Sequence, residues 1–202
     1  MNKGRRQKVS EAAEIIGEAL SNIPVTLAQR LGAVQFELRA TEEDVASRWQ
    51  WGKTGIEVEL NPTETSPHDC ALELLTCLGQ ALWESASAQE RRAWLKLLRE
   101  EIEAGVEGEI DERALREKRA MLSSRILAAS PRRMERYAEA SFAGSMAEYV
   151  HTLWHEVAVR AGRDYLPLSW LRRRFELFSR WFPAATSGDR MRRIARQSCK
   201  VR

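Results

Sequence analysis

Strand-like alternation is confined to one short region of the sequence, and this limits the fold more than any other feature. Val34, Phe36 and Leu38 alternate with polar neighbours, RWQW (48–51) starts a second run, and Ile56, Val58 and Leu60 make a third in IEVEL. From Asp69 onward, apolar residues recur at helical spacing almost without a break. A few strands followed by a long helical stretch give an α+β fold. The second and third runs flank GKTG (52–55), a Gly-containing loop that predicts a β-hairpin. The expectation is a small antiparallel sheet packed on a predominantly helical body.

Helices are predicted over 10–31 with a break at Pro24, and over about 69–86, 88–104, 111–129, 131–160 and 167–181. Ser87 and Ser130-Pro131 suit helix starts, and Gly105, Gly108 and Gly162 suit stops. With 202 residues the chain can bury a core of ordinary size. The expected division is one domain over 1–185, with N-terminal helices (1–33), the sheet (34–61) and the helical body (69–183), then a basic tail over 186–202. No apolar run approaches the roughly 18 residues needed to span a bilayer, and Glu11, Glu14 and Glu18 interrupt any signal-like core. A cytoplasmic protein is expected. Cys70 and Cys77 lie seven apart on one predicted helix, too far to bridge, and read as reduced core thiols.

Residues 74–83 read LLTCLGQALW. Leu74, Leu75, Leu78 and Leu82 fall on one helical side, with Glu73, Thr76 and Gln80 on the other. The stretch has the cadence of a zincin helix such as LLHELGHAL, where two His bind Zn²⁺ and the Glu between them is the general base. Thr76 and Gln80 stand at the two His positions and Cys77 at the Glu position, while Leu78 and Gly79 keep the pattern. Thr and Gln are poor zinc ligands.

The wider order, RWQWGKTG, IEVELNPTETSPHD, CALELLTCLGQALW, resembles the central part of small bacterial zincin-like metallopeptidases. SFAGSMAEYVHTLWHE resembles their second helix, and SWLRRRFELFSRWFP their closing segment. The likeness covers roughly residues 34–183. It implies that Glu148 matches the third metal-ligand position and that Ile56, Val58 and Leu60 lie on an edge strand receiving extended peptide by strand addition. With Thr76, Cys77 and Gln80 in place, metallopeptidase chemistry is not expected. The resemblance then implies a non-catalytic, pseudo-metallopeptidase protein that acts as a peptide- or protein-binding or regulatory subunit and needs no cofactor.

Two other readings stay open. HTLWHE places His151 and His155 at i, i+4, with Glu148 one turn earlier, on a face opposite Phe142, Met146, Tyr149, Leu153 and Val157. A relocated zinc site for a metal-dependent hydrolase could use Glu148, His151 and His155, with His68 or Cys70 as a fourth group. The tail concentrates Arg190, Arg192, Arg193 and Arg196 against a single acid, Asp189, and could contact nucleic acid, although no nucleic-acid motif accompanies it. The tail itself reads as solvated, with a short exposed helix as one conformation. In 111–136 the arginines interleave with acids, the pattern of a solvated helix face with i,i+4 pairs. Trp49 and Trp51 share one face of a strand, where they could grip a partner or cap the core.

Overall fold

The computed structural model describes residues 3–39, 47–62, 66–123, 131–155, 162–184 and 198–201. Its elements run α1 (Lys3–Ser21), α2 (Val25–Leu31), β1 (Ala33–Leu38), β2 (Ser47–Trp51), β3 (Gly55–Leu60), α3 (Pro67–Glu84), α4 (Ala88–Glu103), α5 (Glu112–Leu122), α6 (Pro131–His151), α7 (Leu168–Trp181) and β4 (Ser198–Val201). The fold is α+β. No helix among the described residues is long and apolar enough to cross a membrane.

The sheet is mixed rather than antiparallel. Its order is β2-β3-β1-β4. β2 and β3 form the expected antiparallel hairpin, but β1 runs parallel to β3 and β4 parallel to β1. β2 follows β1 in sequence, yet β3 lies between them. Local alternation marks a strand without marking its neighbour, so the parallel pair was not legible from the three runs. Part of the basic tail also differs from expectation: 198–201 pair with β1 as a strand. An open strand edge supplies main-chain partners that local charge does not reveal.

One face of the sheet is apolar. Phe36, Leu38, Ile56, Val58 and Leu60 are buried on it and pack toward α3. α3 is held between this face, α1 and α6. Its start is fixed by a capping box: the Ser66 hydroxyl accepts from Asp69 N–H, the Asp69 carboxylate accepts from Ser66 N–H, and Pro67 opens the first turn. Ser87 and Glu90 repeat the device on α4. There, despite the opposing effect of burial, hydrogen bonds from Arg30 and Ser87 hold the Glu90 carboxyl down to about 2.

α6 is the second central helix. From Tyr137 to His151 nearly every residue is buried, on all sides. The division into one core face and one open face therefore fails for this helix. It is packed by α3, α4, α5 and α7, so no side is left for water. Gly79 sets the α3–α6 distance, because a Cβ there would stand 2.7 Å from Ala143 Cα and 2.8 Å from Ala143 O. Trp94, Phe142 and Phe178 join neighbouring helices, with ring centres 5.1–5.3 Å apart. α6 ends at His151 rather than near 160, and α5 at Leu122 rather than 129, beyond which 124–130 are outside the described residues.

Candidate functional site

Glu73, Cys77, Gln80 and Glu84 lie at i, i+4, i+7 and i+11, one stripe along α3. β2 runs beside that stripe. The Ser47 hydroxyl donates to Glu73 Oε2 at 3.0 Å and bonds the Cys77 thiol, Trp49 Nε1–H donates to Gln80 Oε1 at 2.6 Å, and Trp51 Nε1–H donates to Glu84 Oε2 at 2.9 Å. The match is geometric. Two strand residues advance about 6.6 Å and one helical turn about 5.4 Å, so alternate strand side chains meet successive turns. Trp49 and Trp51, at 6.2 Å and 88°, are therefore part of a latch between β2 and α3, although Trp51 stays 42% exposed.

The positions that would carry zincin chemistry are occupied by these contacts. Thr76 Oγ1 donates to Leu72 O at 2.9 Å within its own helix. Cys77 is buried, and burial pushes its thiol up to about 11, against the Ser47 hydrogen bond. It is a protonated thiol at neutral pH, neither base nor ligand. Gln80 is bonded to Trp49. Together with the poor donor character of Thr and Gln, this does not fit zinc in the family's manner.

Ile56, Val58 and Leu60 are not on an edge. β3 has β2 on one side and β1 on the other, and all three side chains are buried in the core. The outer strand of this end of the sheet is β2. Gly52 N–H donates to Gly55 O at 2.7 Å. Counting from that pair, Gln50 and Arg48 exchange main-chain bonds with Glu57 and Glu59. Ser47, Trp49 and Trp51 then direct their main-chain N–H and C=O groups away from β3, where no strand follows among the described residues.

All three histidines come together, and His68 joins the pair that the sequence put at i, i+4. His68 sits in the first turn of α3, His151 ends α6, and His155 lies in the turn beyond it, where His155 N–H still donates to His151 O at 3.0 Å. Ring centres are 4.8 Å apart for His68–His151, 5.2 Å for His68–His155 and 5.6 Å for His151–His155, with Trp154 against all three. His155 is exposed, but His151 is buried, contrary to a shared open face. Its Nδ1 meets Glu148 Oε2 at 3.4 Å, while its Nε2, like Trp154 Nε1, has no hydrogen-bond partner among the described residues. Burial, then His151 and His155, push the His68 imidazole below its usual value. As it stands, no group of three or more His, Cys, Asp or Glu among the described residues is arranged to hold a metal ion. Cys70 is buried in the core, and Arg190, Arg192, Arg193 and Arg196 lie outside the described residues.

A buried ion network escaped the sequence reading. Arg174 of α7 donates to both Glu101 carboxylate oxygens at 2.5 and 2.8 Å and to both Glu109 oxygens at 2.8 Å, as well as to Ser145 Oγ at 3.0 Å. Lys118 Nζ reaches Gly108 O at 3.0 Å and Glu109 Oε1 at 3.3 Å, and the Tyr137 hydroxyl donates to Glu109. The four charged groups are 0–1% exposed. Lys118 is thus not on a solvated face, and arginines of both helices pair across the α5–α6 seam, Arg113 of α5 with Glu139 and Arg136 of α6 with Glu117. The signal was available: Glu101 follows Trp94, Leu97 and Leu98 on the apolar stripe of α4, and Lys118 lies between Ala114 and Met121 on that of α5.

Burial opposes ionisation of Glu109, but Arg174, Lys118 and Tyr137 outweigh it and bring the carboxyl down to about 2 from 4.5. A depressed carboxylate contributes stability that is present above its unfolded value and lost as pH falls through the folded one. Thermal midpoints should hold steady from pH 7 to about 5 and drop between about 4.5 and 2. Glu109→Gln should lower the whole curve and flatten that drop; an unchanged acid slope in the variant would show that Glu109 is not its source.

No family model matches the chain, and no curated protein or solved structure does either.

Proposed function

We propose that this chain is a non-catalytic zincin-like protein that receives an extended peptide segment of a protein partner along the outer edge of β2. The observation that carries the reading is the latch. Ser47, Trp49 and Trp51 fill the face of α3 where hydrolysis would be performed, and the same three residues turn their main-chain groups outward. A strand whose side chains are anchored by a helix is rigid and pre-ordered, which lowers the entropy lost when a second strand pairs with it. The scaffold keeps a peptide-binding edge and gives up the metal chemistry beneath it.

The test is selection of linear peptides from a displayed library against the whole chain, followed by Ser47→Pro. Proline at the first residue of an edge strand is tolerated but removes an outward N–H donor. Affinity for the selected peptides should fall at least about tenfold in Ser47→Pro, since one lost main-chain bond with its donor missing is worth about 1.4 kcal/mol. It should hold in Ser47→Ala, which loses only the hydroxyl, and bound peptides should remain uncut. Equal affinity in Ser47→Pro would remove β2 as the docking strand.

A further inference from the structure

We infer that His68, His151 and His155 form a binding site for one divalent transition-metal ion of the zinc, cobalt or nickel class. Three imidazoles bound to one tetrahedral ion through nitrogen bonds of about 2.0–2.1 Å have ring centres about 5 Å from one another. The three rings here lie 4.8, 5.2 and 5.6 Å apart. Unrelated surface histidines have no reason to converge in this way, and these come from the two ends of the chain's central helix pair.

The chemistry of His151 supports the same assignment independently. Its Nδ1 faces the Glu148 carboxylate, which favours the tautomer with the proton on Nδ1 and leaves the Nε2 lone pair as the acceptor. That Nε2 is buried, with His151 only 7% exposed, and nothing among the described residues donates to it. A buried acceptor without a partner is unfavourable, and a metal ion satisfies it. A carboxylate holding the far nitrogen of a metal-bound histidine is the usual outer support of such sites. Glu148 would therefore act as a positioning residue, not as a ligand.

The group is not yet arranged to hold an ion. The ring centres are already spaced for one ion, so binding requires the rings to turn about their Cβ–Cγ bonds until three nitrogens face a common point. His155 is exposed and His68 half-buried, so both have room to turn toward the fixed, buried His151. Bound metal would tie the start of α3 to the end of α6 and leave a fourth coordination position to solvent.

Cobalt titration of chelator-treated protein, read by visible absorption, tests this directly. One equivalent should give the intense bands of a tetrahedral nitrogen complex, bleached by added zinc, and zinc should raise the thermal midpoint. His155→Ala, at an exposed position where the urea midpoint of the metal-free protein is expected to change little, should weaken cobalt binding at least about tenfold, as should His68→Gln; Glu148→Gln should weaken it about 10–100-fold. Absence of the bands, or cobalt binding that His155→Ala and His68→Gln leave intact, would overturn the assignment. Ser47→Pro should not alter cobalt binding, so the site and the peptide edge stand or fall separately.

Discussion

Arg174→Ala is expected to be the most damaging single substitution in the described core, lowering stability by about 3–5 kcal/mol. The reason is not the strength of the ion pairs themselves. Arg174 is fully buried and lies between two buried carboxylates, and with Lys118 it balances them charge for charge. Among the described residues, removing it takes away the ion-pair partner of Glu101 and leaves Lys118 as the one cation paired with Glu109. A domain stable by about 5–15 kcal/mol loses a large part of that margin. If the loss comes from uncompensated charge, Arg174→Met combined with Glu101→Leu should recover much of it, because an apolar set of similar volume replaces the ion pair. Urea unfolding of the single and double variants measures both values. A double variant no more stable than Arg174→Ala would place the damage in lost packing, including the Arg174 guanidinium over the Trp94 ring at 5.5 Å, instead of in charge.

Gly79→Ala is expected to destabilise by about 1–3 kcal/mol, the usual range for overpacking. The sign makes the prediction sharp, since alanine inside a helix ordinarily stabilises by about 0.5–1 kcal/mol over glycine. Here the new methyl would meet the Ala143 backbone at 2.7–2.8 Å, and although the Met146 side chain, 3.1 Å away, can move aside, the backbone cannot. α3 and α6 must separate, which also strains the sheet and aromatic core packed on either side of them. A neutral or stabilising result would mean that the two helices do not approach so closely. The glycine of LLTCLGQALW is thus explained by packing alone, whatever the origin of the motif.

What could be read from the sequence was local. Periodicity located the hairpin and the helical body, Pro24 divided α1 from α2, and Ser87 began α4. The unsuitability of Thr76 and Gln80 for zinc follows from their donor atoms and needed no coordinates. What could not be read depends on distant partners. The parallel pairing of β1 with β3 hides behind an antiparallel hairpin, so local alternation puts Ile56, Val58 and Leu60 on an edge although β3 is an interior strand. His68 lies 83 positions before His151, and no periodicity connects them. Glu101 and Lys118 were hidden differently. They occupy apolar-stripe positions, and the habit of reading charge as exposure concealed four groups that are buried together.

In the proposed function β2 is an open, helix-anchored edge that takes up a further strand. Amide hydrogen exchange at Ser47, Trp49 and Trp51, measured with and without a library-selected peptide, tests it most directly. The three outward N–H groups should exchange rapidly in the free protein while those of Arg48 and Gln50 are protected by β3, and all three should gain protection when peptide is bound. Outward amides already protected in the free protein would mean that the edge is covered, and amides indifferent to bound peptide would mean that the peptide docks elsewhere. Either result would exclude β2 as the docking strand.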